Sequence, residues 1–356
     1  MNKSVTIALD AMGGDFGPEV VVPGAALALK DRPMASFIFF GDQTKIQPCL
    51  DKYPQLARVS TISHTDKAVS ADEKPGQALR SGRDSSMRLA INAVSEGRAD
   101  CIVSGGNTGA LMAMAKMVLR TLPGIHRPAI ASVFPTIKGQ TVVLDLGANL
   151  ECDSEILVQF AVLGSVYARV VENIPNPTVG LLNVGSEDMK GHEEIRAAQA
   201  VLQQVKFPGK YYGFVEGNDI TAGTVDVVVT DGFTGNVALK VAEGVGKLAS
   251  FILKSSLKSS PLSFVGAILA SGALKKVKNR MDPRLYNGGM FLGLSGICVK
   301  SHGSMDAVGF ANAIKVAADL STNGFNKRVA EEIQQVMTQE SFIAPPSSVG
   351  EVTKAS

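Results

Sequence analysis

Val5-Thr-Ile-Ala-Leu-Asp10 runs without a break into Ala11-Met-Gly-Gly-Asp-Phe-Gly-Pro18. A β-branched, apolar run that stops at a carboxylate and a glycine-rich turn reads as a buried strand feeding a helix. The same grammar recurs at 37–41, 99–104, 129–134, 141–145, 178–184, 225–230 and 296–300. Between these runs, 77–96, 110–119, 154–172, 193–204 and 237–253 show helical spacing. This alternation predicts an α/β fold, a mainly parallel sheet with helices on both faces. In such sheets ligands sit outside the carboxyl ends of the strands.

Those strand ends carry the functional signal. Ile102-Val-Ser104 leads into Gly105-Gly-Asn-Thr-Gly109, and Val143-Leu-Asp145 into Leu146-Gly-Ala-Asn149. Val227-Val-Val-Thr230 leads into Asp231-Gly-Phe-Thr-Gly-Asn236, and Cys298-Val-Lys300 into Ser301-His-Gly-Ser304. With the turn after Asp10, five turns of one chemical type are expected to face one crevice. Glycine allows close backbone approach, Asn, Thr and Asp cap the following helix, and the exposed N–H groups suit a phosphate. Gly106-Asn-Thr-Gly109 and Gly232-Phe-Thr-Gly235 share G-x-T-G. Gly106, Asn107, Thr108 and Gly109 together with Thr234, Gly235 and Asn236 are the expected phosphate cradle, with Lys300 as its charge partner. His302 follows a strand and is expected to open on the same crevice.

Other chemistries find little support. No G-x-x-x-x-G-K-[ST] and no G-x-S-x-G occurs, and Gly244-Val-Gly-Lys-Leu-Ala249 falls inside a helical run rather than after a strand. The four cysteines form no C-x-x-C pair, so no metal site and no disulfide framework is expected. Cys101 reads as core, and the acidic neighbours Glu151 and Asp153 disfavour a Cys152 thiolate. His64, His126 and His192 read as surface or capping groups. With 35 basic and 33 acidic residues and 45% apolar content, the chain has the composition of a globular protein. The expected organisation is a large α/β unit over 1–340 and a flexible tail over 341–356. The start reads as neither a signal peptide nor a membrane span, and a cytoplasmic protein is expected.

Six motifs in order carry a family likeness: Asp10-Ala-Met-Gly-Gly-Asp-Phe-Gly-Pro18, Ser104-Gly-Gly-Asn-Thr-Gly-Ala110, Val143-Leu-Asp-Leu-Gly-Ala-Asn149, Asp231-Gly-Phe-Thr-Gly-Asn236, Tyr286-Asn-Gly288 and Lys300-Ser-His-Gly303. Together the chain resembles the PlsX-type phosphate acyltransferases of bacterial phospholipid synthesis. The likeness is loosest over 250–281. It implies a three-layer α/β/α fold similar to phosphotransacetylase and the isocitrate/isopropylmalate dehydrogenases, in a homodimer. It also implies acyl transfer from acyl carrier protein to inorganic phosphate, with no cofactor and no metal, the acyl phosphate passing to the membrane acyltransferase PlsY. In that reaction Asp231, His302 and Lys300 are the candidate catalytic groups, chosen by their place in the turns. Asp10, Gly13, Gly14, Asp15, Asp145 and Asn149 are candidates for organising the loops.

Between 250 and 284 seven cations face the single acid Asp282. Lys254, Lys258, Lys275, Lys276, Lys278 and Arg280, interleaved with Phe264, Ile268 and Leu269, are expected to meet an anionic membrane surface, at the inner face of the cell membrane, or the carrier protein. Nucleic acid is not an expected partner, since stacking aromatics and a recognition motif are lacking. Two alternatives remain: a metal- and nicotinamide-dependent dehydrogenase of related fold with Asp10, Asp145 and Asp231 around an ion, and a non-catalytic membrane scaffold.

Overall fold

The computed structural model describes residues 4–280 and 282–339. The strands are β1 (Val5–Asp10), β2 (Ala35–Gly41), β3 (Ser60–His64), β4 (Cys101–Ser104), β5 (Ala129–Thr136), β6 (Gly139–Leu144), β7 (Thr178–Leu182), β8 (Lys210–Val215), β9 (Val227–Val229), β10 (Gly289–Leu292) and β11 (Ile297–Lys300). The helices of the first half are α1 (Pro18–Asp31), α2 (Gln43–Leu50), α3 (Pro54–Ala57), α4 (Pro75–Ser81), α5 (Ser86–Ser95), α6 (Thr108–Leu119) and α7 (Ser154–Val170). Those of the second half are α8 (Glu193–Leu202), α9 (Gly217–Ala222), α10 (Gly232–Leu257), α11 (Pro261–Leu269), α12 (Ser271–Arg280), α13 (Ala307–Thr322) and α14 (Phe325–Met337).

All strands join one 11-stranded sheet, ordered β3-β2-β1-β4-β11-β10-β5-β6-β9-β7-β8. Its central strands are buried on both faces, which is why they read as unbroken apolar runs. Ile7, Leu9, Val103, Val142 and Leu144 point to one face, where α1, α13, α14, α7 and α8 build a continuous core across the whole sheet. The other face is divided. Ala8, Ile102 and Cys298 meet Ile91, Leu111 and Met114 of α5 and α6, whereas Val143 and Val228 meet Ile220 of α9 and the start of α10. Ile130 of β5 packs against both clusters. The result is the expected three-layer α/β/α fold, with one helical layer split over the middle of the sheet.

The centre of the sheet departs from the parallel expectation. The β11–β10, β10–β5 and β5–β6 pairings are antiparallel. Direction therefore reverses, and β6, β9, β7 and β8 run against β1, β4 and β11. The strands that the pattern missed are β3 and β8 at the two edges and the short β10 beside Gly288. Edge strands are half exposed and polar on one side, so they lack the apolar signature. The helix expected over 77–96 is two helices, α4 and α5. Gly82 lies where a Cβ would stand 2.6 Å from the Ala78 carbonyl oxygen, and Ser85 caps α5 by accepting from the Arg88 amide at 3.3 Å. The expected tail, 341–356, lies outside the described residues.

Candidate active site

The turns after β1, β4 and β11 meet at one edge of the sheet. Gly13 and Gly14 pass so close to Gly106 and Gly303 that a Cβ on either would lie 2.7 Å from the Gly106 nitrogen or 2.9 Å from the Gly303 oxygen. The Asp15 amide donates to the Gly303 carbonyl at 2.9 Å. Under this junction the buried Asp10 carboxylate accepts from the Ser86 and Ser104 hydroxyls, both at 2.6 Å. Burial raises its pKa against the pull of those hydroxyls. Lys300, at the end of β11, donates to the carbonyls of Gly105 and Ser301. Burial pulls its ammonium down to about 8, with the Asp10 and Asp15 carboxylates opposing.

At this edge α6 begins. Asn107 caps it by accepting from the Ala110 amide at 3.0 Å, and its side-chain amide donates to the carbonyls of Ala71 and Glu73 at 2.8 and 2.9 Å. The Asn107 side chain is thus spent on clamping the 70–73 segment and is withdrawn from the expected cradle. The Gly106 amide is spent on the Ser104 hydroxyl at 3.0 Å. The amides of Thr108 and Gly109, in the first helical turn, have no intrahelical acceptor and remain available to an anion. Gly109 also lets α6 sit against α4: a Cβ there would stand 2.7 Å from Pro75 Cγ.

His302 follows Lys300. Its backbone amide donates to Asn287 Oδ1 at 2.9 Å, while Asn287 Nδ2 donates to Ser301 Oγ and the Gly309 carbonyl, both at 2.8 Å. The Ser304 amide donates to His302 Nδ1 at 3.3 Å. A neutral ring held this way carries its proton on Nε2. Partial burial and the nearby Lys300 charge lower the imidazole pKa, which favours that neutral form.

The turns after β6 and β9 form a second set. Asp145, at a cis peptide after Leu144, accepts from the amides of Ile130, Gly147, Ala148 and Asn149 and from Asn149 Nδ2. α10 begins directly on this knot: a Cβ on Gly232 would stand 2.6 Å from the Asn149 oxygen, and one on Gly235 would overlap the Asp145 oxygen. Asp231 caps α10, accepting from the Thr234 amide and hydroxyl, both at 2.8 Å. Gly147 faces Asn236, 3.6 Å from its Cβ.

The expectation of one five-turn rim therefore fails. β9 runs against β4, so their carboxyl ends lie at different edges, and among the described residues no hydrogen bond joins the two sets. Both Thr234 donors serve Asp231, which caps α10. Gly235 and Asn236 belong to the packing of α10 on the Asp145 knot. The two sets are related through α10, whose Lys240, Glu243 and Lys247 charges act on His302. The metal grouping of the dehydrogenase alternative is also broken, since Asp10 lies in the first set and Asp145 and Asp231 in the second. Ser86 and Asn287 were not singled out from sequence. Ser86 lies where a helix interior was expected, and Asn287 was visible within Tyr286-Asn-Gly288 but without a role.

Cys101 is fully buried and its thiol pKa is pushed far up by that burial. Cys152 rises to about 12, through burial and then the Asp145 and Asp231 carboxylates, not the adjacent Glu151 and Asp153. Gly244 and Gly246 lie inside α10 with open space where a Cβ would be.

The model of the family described as "Fatty acid synthesis protein" matches residues 5–328. The chain belongs to this family. Family relatives named phosphate acyltransferase include one from Rhodospirillum centenum, 59% identical over 350 residues, covering 98% of this chain and 99% of that one. Another, from Paramagnetospirillum magneticum, is 56% identical over 340 residues, covering 96% and 97%. Among solved structures, a phosphotransacetylase from Streptococcus pyogenes superposes with a TM-score of 0.61 at 18% identity, over 90% of this chain and 95% of that one. The EutD phosphotransacetylase from Staphylococcus aureus gives 0.58 at 18% identity, with the same coverage. That likeness is one of fold.

α10, α11 and α12 project from this framework. Leu262, Phe264, Ile268 and Leu269 of α11 are all more than half exposed, and Lys254, Lys258, Lys275 and Lys276 are exposed beside them. The side chains of Lys278 and Arg280 lie outside the described residues. Arg284 does not join the cationic surface, because it pairs with Asp282 at 2.5 Å and Asp306 at 3.1 Å. No described helix is long and apolar enough to cross a membrane.

Proposed function

We propose that this family member is a phosphate acyltransferase that moves a fatty acyl group from the thioester of acyl carrier protein to inorganic phosphate, releasing acyl phosphate and free carrier. The observation that carries this reading is the edge where the Thr108 and Gly109 amides open and a half-buried Lys300 ammonium donates to the Gly105 carbonyl of the same turn at 3.2 Å. Amide donors at a helix start and a fixed cation are a site for a tetrahedral anion. The names of the full-length relatives supply the reaction class.

In this reading the α6 amides and Lys300 hold phosphate, and a phosphate oxygen attacks the thioester carbon. The C–O bond forms, the carbonyl electrons collect on oxygen, and their return breaks the C–S bond. The thiolate then takes a proton. A thiol of pKa about 8.5 is a good leaving group near neutral pH, so positioning and oxyanion stabilisation carry most of the work. His302, with its proton on Nε2, is placed to donate to the oxyanion or to the departing sulfur. Asp10 acts through others, holding the Ser86 and Ser104 hydroxyls and biasing Lys300 toward its charged form. Incubation with acyl carrier protein thioester is expected to release free thiol only when phosphate is present. Release that ignores phosphate, or none at all, overturns the reading.

The exposed α11 face and the lysines at the end of α10 and in α12 support contact with an anionic membrane surface, and the exposed stripe Val237, Val241, Val245 and Leu248 along α10 supports pairing with a second copy. Lys275→Glu with Lys276→Glu is expected to lower recovery with anionic liposomes in flotation. Equal recovery removes the membrane contact.

A further inference from the structure

The corner where α4 meets α5 carries a group of four cations. Lys74 precedes α4, Arg80 lies in its last turn, Arg83 in the connection, and Arg88 in the first turns of α5. Among the described residues none of the four pairs with a carboxylate; of the acids in the same stretch, Asp84 pairs with Lys67 at 3.1 Å and Glu73 accepts from the Ser81 hydroxyl at 3.0 Å, while Asp66 and Asp72 are exposed. Arg88 donates through Nε to Asn92 Oδ1 at 3.1 Å, but its buried Nη1 has no hydrogen-bond partner. Besides burial, the charge that acts on Arg88 is another cation, Arg83. Two guanidinium groups held together without a counter-ion are a standing electrostatic cost that an incoming carboxylate relieves.

The position of this corner matters as much as its charge. Ser86, between Arg83 and Arg88 in sequence, hydrogen-bonds to Asp10 under the candidate site. Pro75, next to Lys74, packs on Gly109 at the open end of α6, and Asn107 ties the same segment down. Lys74, Arg80 and Arg83 are therefore exposed on a segment that, through Ser86 and Pro75, reaches the candidate site.

We propose that Lys74, Arg80, Arg83 and Arg88 form the docking surface for an acidic carrier protein that presents its thioester to the Lys300 edge. The inference rests on the acyl-transfer reading and assigns the carrier a place apart from the lysines of α10 and α12, which it leaves to the membrane. Arg rather than Lys dominates, as suits bidentate recognition of carboxylates, and such complementarity acts on encounter rate and specificity as well as affinity.

The test is direct binding of holo-acyl carrier protein to the full chain by calorimetry, run beside the KM for phosphate. Arg83→Glu with Arg88→Glu is expected to weaken carrier binding at least ~10-fold, about 1.4 kcal/mol, and to flatten its salt dependence, with the KM for phosphate unchanged. Arg83→Gln with Arg88→Gln, checked by circular dichroism, replaces the reversal if that variant does not fold, and a smaller loss in the same direction is expected. Unchanged carrier affinity overturns the proposal. So does a raised KM for phosphate with carrier affinity intact, which assigns the guanidinium pair to phosphate itself. Because binding is measured without turnover, failure of the reaction in the wild type is seen separately from failure of this surface.

Discussion

Asp10 and Asp145 occupy the same place in the grammar of the chain, each a buried carboxylate at the end of an apolar run and before a glycine turn, yet they do opposite things. Asp145 gathers five N–H donors from its own turn and from β5, so this turn closes on itself and becomes a seat for α10. Asp10 takes two hydroxyls from other elements and has a lysine for company. Its neighbouring turns spend few of their own amides on it, and those at the start of α6 stay open. A carboxylate satisfied by backbone amides makes an inert knot; one satisfied by side chains leaves the backbone free to bind.

The sharpest way to break this comparison is to remove the cation that only the Asp10 set possesses. Lys300→Met is expected to lower kcat/KM for phosphate by ~10²–10³-fold, the scale of losing one well-placed charged donor, with folding retained by circular dichroism. The active form is the ammonium, so in the wild type kcat/KM should fall as pH rises through about 8. Lys300→Arg should abolish that limb, since a guanidinium keeps its charge throughout. A limb that survives in this variant belongs to another group.

Exchanging the two carboxylates for amides sharpens the contrast. Asp145→Asn leaves several buried N–H groups facing an NH₂ and is expected to cost about 3 kcal/mol in urea unfolding, with turnover per folded molecule held within a few-fold. Asp10→Asn should cost less stability, because the Ser86 and Ser104 hydroxyls can reverse and accept, but it should cut turnover by loosening Lys300. Equal ratios of lost stability to lost turnover would erase the distinction. The smallest effect is expected at Thr234→Ala, which loses only the hydroxyl bond to Asp231: under ~1 kcal/mol of stability and turnover within about twofold. A tenfold loss would return Thr234 to the site.

Much of this was legible in the chain. The runs ending at Asp10, Ser104, Asp145 and Lys300 mark strands because central strands must be apolar on both faces. Lys300 and His302 stood out because polar side chains at and just past the end of such a strand have to emerge at its carboxyl end. What misled was the G-x-T-G likeness between Gly106–Gly109 and Gly232–Gly235. The two share a turn, but one caps itself with Asn107 and the other with Asp231, and local pattern says nothing about which way the parent strand runs.

The sequence by itself determined the α/β class, the strand-turn-helix units and the family, because periodicity, glycine placement and motif order are local or linear properties. Only the tertiary structure decided which turns share an edge. That followed from three antiparallel pairings around β10 and β5, long-range contacts that reverse half the sheet, and from side chains such as Asn107 and Thr234 satisfying their own backbone before any ligand arrives.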